Sequence, residues 1–257
     1  VSLNPVREKL LRGEVSVGGW LNLGSPTAAE VMAAAGYDWL VVDAEHGQWD
    51  LATISNAFRA IEARGCVPMV RVWSHDATAL GRLLDAGAMG IVLPHVSTPE
   101  QAAQAAQAMR YPPVGNRSSG TGRAVLMAAD YKQEVDNSIL VIPQIEDMEG
   151  VNNAEAIMAI EGVDVAFLGP NDLGLSMGLT PSQMWNDPAH LGAIASVLNA
   201  ARKVGKPAGV PVNSGEAARR VIQQGFQFID LGSDLRQLQV AVSERRSIAL
   251  GADGQSS

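Results

Sequence analysis

The chain has 257 residues, 47% hydrophobic and 18% charged, with a net charge of −8. This is an ordinary soluble globular composition, long enough for one large core. No Lys/Arg run offers a phosphate-binding cluster, so nucleic acid is excluded as the main partner. The single cysteine, Cys66, allows neither an internal disulfide nor a cysteine-based metal set and suits a reducing compartment. Residues 1–12 read as neither a signal peptide nor a membrane span, and the cytoplasm is the default location.

Short β-branched runs alternate with Ala- and Leu-rich segments of helical period. In chain order a strand is expected over 15–21 and a helix over 27–35, then strand 39–43 and helix 51–63. The pairs 68–72 and 77–86, 90–94 and 99–109, and 139–145 and 151–160 follow. The last three are 163–168 and 188–204, 207–212 and 215–224, and 228–231 and 235–246. Ser25-Pro26, Thr98-Pro99, Asp187-Pro188 and Asn213-Ser214 are helix starts, while Gly36, Gly65, Gly87, Gly162, Gly205 and Gly225 fall where helices should stop. Eight β/α units without a composition break imply an α/β protein with a single (β/α)8 TIM barrel over 1–250, followed by a frayed tail over 251–257. The connection over 111–133 is long enough to carry function.

In such a barrel the residues just after each strand meet on one face. There the sequence places Asp43-Ala44-Glu45-His46 after strand 2, Arg71 at the end of strand 3, Gln144 and Glu146 around the end of strand 5, and Gly169-Pro170-Asn171-Asp172 after strand 6. Glu146 and Asp172 follow adjacent strands and would repel without a cation between them, so a hard divalent ion is the economical answer, Mg²⁺ or Mn²⁺ before zinc. A structural carboxylate pair is the alternative. Arg71 should meet a carboxylate or a developing oxyanion, an internal salt bridge being the bland reading. Asp43 stands three residues before His46 and is expected to orient that imidazole as an acid/base, against a plain loop histidine.

His95 borders the mouth; His75 and His190 carry less weight. Trp20 is placed to wall the pocket, and Asp85, an acid at a helix C-terminus, should have a partner, a subunit interface being one source. Only Lys9, Lys132, Lys203 and Lys206 occur, none at a strand's C-terminal end, so imine chemistry is not expected. Gly232-Ser233-Asp234 reads as a phosphate site or a helix cap.

Taken together, Gly36-Tyr37-Asp38-Trp39 running into Asp43-x-Glu45-His46, then Arg71, Arg110-Tyr111-Pro112-Pro113-x-Gly115-x-Arg117, Gln144-x-Glu146 and Glu161-Gly162-Val163-Asp164-x-x-Phe167-x-Gly169-Pro170-x-Asp172-Leu173 resemble the metal-dependent pyruvate aldolases of the HpcH/HpaI type over nearly the whole chain. The resemblance implies a class II aldolase that reversibly cleaves a 4-hydroxy-2-oxo acid to pyruvate and an aldehyde. It implies that Glu146 and Asp172 hold a divalent ion, with Co²⁺ a further candidate, that Gln144 supports it, and that Arg71 stabilises the enolate. His46 with Asp43 would move the proton, and the backbone around Gly169, Pro170, Asn171 and Asp172 would receive the substrate carboxylate. Asp85 of a neighbouring subunit would complete the aldehyde side of a trimer-based hexamer. Gly47-Gln48-Trp49, Gly174 and Pro211 depart from the family pattern and direct attention to substrate choice. Other readings are a related carbon–carbon lyase or cyclising enzyme acting on an acyl-CoA ester or oxaloacetate, and a barrel that binds an oxo acid without turnover.

Overall fold

A computed structural model describes residues 3–120 and 122–251; residues 252–257 of the expected tail lie outside the described residues. The strands are β1 (Ser16–Leu21), β2 (Trp39–Asp43), β3 (Val67–Arg71), β4 (Gly90–Leu93), β5 (Leu140–Ile145), β6 (Ala166–Leu168), β7 (Ala208–Pro211) and β8 (Phe228–Ser233). All eight pair in parallel and in sequence order, β8 returning to β1, so the sheet closes into one barrel.

The helices in chain order are α1 (Pro5–Leu11), α2 (Pro26–Ala34), α3 (Leu51–Glu62), α4 (Ala77–Ala86), α5 (Pro99–Ala108) and α6 (Tyr131–Glu134). After β5 come α7 (Met148–Ala159), α8 (Pro170–Ser176), α9 (Pro181–Met184), α10 (Pro188–Lys203), α11 (Gly215–Gln224) and α12 (Asp234–Ala249). No helix among the described residues is long and apolar enough to cross a membrane.

Caps explain most boundaries. Asp50, Thr98, Asp187 and Ser214 each accept backbone N–H groups of the following turn, and Gly87 and Gly225 take the left-handed conformation that ends α4 and α11. The expectations missed α1, whose signal is Asn4-Pro5: the Asn4 side chain accepts from Val6 and Arg7 and donates to the carbonyls of Met89 and Ser138. The segment 170–184, for which no element is expected, holds α8 and α9. Helices of seven and four residues are too short to show a period.

Along each strand the faces alternate. Outward residues such as Leu40, Val70, Ile91 and Ile229 pack under the helices. Inward residues form a second core of Trp20, Trp39, Val41, Met69, Val92, Ile142, Phe167 and Phe228, closed at the N-terminal end by Val6 and Leu10 of α1. Trp39 stacks on Phe228 with ring centroids 3.9 Å apart, and Trp20 stacks on Phe167 at 5.2 Å. Gly18 has no Cβ because the Trp39 indole occupies that space. One inward step above this aromatic floor, the side chains become polar: Asp43 above Val41, Arg71 above Met69, Gln144 above Ile142 and Asp230 above Phe228.

The Arg110 and Glu161–Asp164 motifs lie at the other end. Arg110 donates to the carbonyls of Ala106 and Gly162, Asp164 accepts the Val141 N–H, and Lys206 donates to Met158 and Ile160. They line a hollow of about 1070 Å³. It is larger than the mouth cavity, but its cations are committed to backbone carbonyls and Asp164, so these motifs are framework.

Candidate active site

At the C-terminal ends of the strands a cavity of about 340 Å³ opens. It is lined by Trp20, Asp43, His46, Arg71, Gln144, Gly169, Pro170, Asn171, Asp172 and Pro211, all expected from the sequence. Asn22, Asn213, Asp230 and Arg236 join them and were missed. For Asp230 the signal was available: in Phe-Ile-Asp-Leu an acid occupies the inward register of an otherwise apolar strand.

The register of β2 against β3 sets Asp43 directly beside Arg71. The guanidinium grips the carboxylate on two edges, Nε to Oδ1 at 2.9 Å and Nη2 to Oδ2 at 2.6 Å, and Asn22 donates to Oδ2 at 2.7 Å. This corrects the expected Asp43–His46 dyad. Asp43 accepts only the His46 main-chain N–H, at 3.3 Å, because the buried carboxylate is satisfied by the neighbouring strand's cation. The His46 imidazole is 66% exposed, and its nearest acid is Glu45, 3.8 Å from Nε2. Glu45 also lies 3.3 Å from Arg71 Nε and 3.3 Å from His95 Nε2, so it joins the two sides of the mouth. Burial works against the charge on Arg71, but Asp43, Glu45 and Glu146 outweigh it and the guanidinium stays charged.

Glu146 is buried just past β5. Its Oε1 accepts the His95 main-chain N–H at 2.7 Å and faces His95 Nδ1 at 3.0 Å, while Oε2 accepts from Gln144. His95 holds this position with φ 55°, a left-handed conformation uncommon for a residue with a side chain. Burial raises the Glu146 carboxyl above its ordinary range and the charge of Asp172 adds to this, against the bonds from Gln144 and His95. Asp172 sits in the first turn of α8, whose start is tied down by His190: its Nε2 lies 2.8 Å from the Pro170 carbonyl.

These residues fit a divalent cation. Asp172 is near enough for its charge to act on Glu146, the buried Gln144 Oε1 has no hydrogen-bond partner, and a Cβ on Gly169 would fall against Glu146, so the space beside that carboxylate is closely fitted. A hard oxygen set of this size suits an ion that keeps positions for water or substrate. Among the described residues no three His, Cys, Asp or Glu side chains form a complete cage. No lysine lines the mouth, and burial pushes the Cys66 thiol up to about 12, which leaves it inert.

Other expectations move. Asp85 does not line its own chain's mouth; it pairs within the chain with Arg117, at 2.7 Å, a guanidinium packed 4.6 Å from the Tyr111 ring. Trp49 turns back to the Leu21 carbonyl, at 2.9 Å, and the Gln48 N–H donates to Asn22, so both pack a loop instead of facing the cavity. Ser233 caps α12 by accepting from Arg236, and Asp234 holds the loop after β1 by accepting from Asn22 and Leu23.

The model of the HpcH/HpaI aldolase/citrate lyase family matches residues 16–241, nearly the whole barrel. The chain belongs to this family. It is 38% identical to a hydroxypyruvate/pyruvate aldolase of Chromohalobacter salexigens over 248 residues, covering 94% of this chain and 95% of the relative. It is also 36% identical to a 5-keto-4-deoxy-D-glucarate aldolase of Shigella boydii, with 90% and 91% covered. A solved HpcH/HpaI family structure from Burkholderia cenocepacia superposes with a TM-score of 0.90 at 35% identity, covering 96% of this chain and 99% of that one. Membership accounts for the barrel.

Proposed function

We propose that this HpcH/HpaI family member is a class II aldolase that reversibly cleaves a 4-hydroxy-2-oxo acid to pyruvate, or a related 2-oxo acid, and an aldehyde. The observation that carries this reading is the charge balance of the mouth: Asp43, Glu45, Glu146 and Asp172 gather around Arg71, and Arg236 is the one further permanent cation on the cavity wall among the described residues, which leaves an excess of negative charge. Bound by Glu146 and Asp172, a divalent cation, Mg²⁺, Mn²⁺ or Co²⁺, would offset this excess and polarise the keto oxygen of a 2-oxo acid.

Arg71 uses Nε and Nη2 on Asp43, and its Nη1, with no acceptor among the described residues, is left to donate to the oxygen on which enolate charge develops. Gln144 steadies Glu146, and Asn171 and Asp172, which line the cavity at the start of α8, receive the substrate carboxylate through their backbone N–H groups. His46, exposed at the rim with Glu45 behind it, moves the proton. In cleavage the C4 hydroxyl loses its proton, the C3–C4 bond breaks with its electrons entering the enolate, and a proton delivered to C3 completes pyruvate. Trp20 and Pro211 wall the cavity.

Assembly as a trimer-based hexamer in the cytoplasm completes the proposal. It is supported by Leu235, Leu238 and Val242, which sit at helical spacing along α12 with about half of each exposed, and it would let Asp85 serve a neighbouring site.

The test is exchange of pyruvate methyl protons with deuterium, run with and without chelator beside an aldehyde panel and oxaloacetate and acyl-CoA arms. Metal-dependent exchange with aldol products is expected. Exchange that survives complete metal removal, or none at all, contradicts the reading.

A further inference from the structure

Asp230 has no part in the steps above, yet it stands in their cavity. It faces inward from β8 one step above Phe228, between Gly18 of β1 and Pro211 of β7 in the sheet register. Neither neighbour brings a side-chain donor. Its Oδ1 accepts the Gly232 N–H at 3.0 Å, and no donor meets Oδ2 among the described residues. The residue is 7% exposed, and what remains open of it faces the cavity that Trp20 and Arg71 also line. Arg71 is close enough to draw the carboxyl down, but it is committed to Asp43 and Glu45, and burial prevails, raising the Asp230 carboxyl to about 7.

A carboxyl that keeps its proton over much of the neutral range both donates and accepts. An alcohol hydroxyl does the same. A substrate carboxylate would be repelled by the ionised form, and a methyl group would leave the buried oxygen unpaired.

We propose that Asp230 is a specificity-determining residue that receives a hydroxyl group of the substrate through Oδ2, so that hydroxylated small substrates are favoured over their deoxy counterparts. The proposal rests on the aldolase reading for where the substrate lies. The hydroxyl has two sources, C3 of the 2-oxo acid donor or the carbon next to the carbonyl of the aldehyde.

Two arms separate these sources. Direct titration of the Mg²⁺-loaded protein compares the dissociation constants of hydroxypyruvate and pyruvate, and kcat/KM with pyruvate as donor compares glycolaldehyde with acetaldehyde. Asp230→Ala should lower the preference for the hydroxylated partner about tenfold or more in one arm, while Asp230→Asn, which still donates and accepts, should keep it within about threefold. Unchanged preferences in both arms for Asp230→Ala overturn the assignment. Should that variant not fold, the wild type gives the answer by carbon-13 labelling of aspartate. The Asp230 carboxyl resonance, identified by its absence from Asp230→Asn, is expected to move with hydroxypyruvate but not pyruvate, or with glycolaldehyde but not acetaldehyde, and no selective movement overturns the proposal. Failure of the aldolase reading looks different: the wild type then shows no metal-dependent deuterium exchange, whereas the hydroxypyruvate titration and the carboxyl resonance still report on Asp230.

Discussion

Asp43 has both carboxylate oxygens occupied by Arg71 and Asn22, whereas the His46 imidazole touches little, so substitutions at the two sides of the mouth should cost different things. His46→Ala is expected to slow turnover by about 10²-fold or more while stability changes by about 0.5 kcal/mol at most. Arg71→Ala should slow turnover by a similar factor and also destabilise by about 3 kcal/mol, because it strands a buried carboxylate. Parallel kinetics and urea unfolding check both, and equal stability losses would mean that His46 is held more firmly than its exposure indicates. Asp230 carries a pH prediction. Its carboxyl rises from 3.8 to about 7 on folding, so the native state binds this proton more tightly than the unfolded chain. The stabilisation is full below about pH 4 and is lost as pH climbs through about 7, on the order of 4 kcal/mol for an ideal buried group. Asp230→Asn should therefore flatten the stability profile between those values and exceed the wild type at pH 8. A profile parallel to the wild type would show that Asp230 ionises normally.

At the scale of elements, the β6–α8 junction is the sensitive point. Gly169 lets the chain pass over Glu146 before Pro170 opens the helix that presents Asp172. Gly169→Ala should leave the barrel folded but weaken Mn²⁺ binding by about tenfold or more, since the added methyl pushes on a carboxylate proposed to hold the ion. Electron paramagnetic resonance titration measures this, and unaltered affinity would remove Glu146 from the metal site. The eight strands were legible because two-sided burial leaves an unbroken apolar run, as in Trp39-Leu40-Val41-Val42. The helices at 170–184 were not, because short helices are stabilised by what they pack on: His190 at the Pro170 carbonyl and Met184 against Gly174.

For the whole molecule, the barrel leaves α12 unusually bare, with Leu235, Leu238 and Val242 outward. The wild type should elute as an oligomer, and the pair Leu238→Glu with Val242→Glu should shift it to smaller species in light scattering. A wild type that is monomeric at all concentrations would reject the assembly and, with it, any contribution of Asp85 to a neighbouring site.

The amino-acid order by itself determined the number of β/α units, their faces and most of the residues gathered at the mouth, though not Asn22, Asn213, Asp230 or Arg236, since hydrophobic period and strand position are local properties. Which of those residues meet was decided only in three dimensions. Asp43 looked like the partner of His46, three residues away, but parallel register sets it beside Arg71, and a carboxylate with almost no exposure takes the nearest full charge. In the same way, Asp230 is one acid among many in the sequence. Closure of β8 onto β1 over an aromatic floor places it in a buried wall facing the cavity, where its proton and its open oxygen acquire a use.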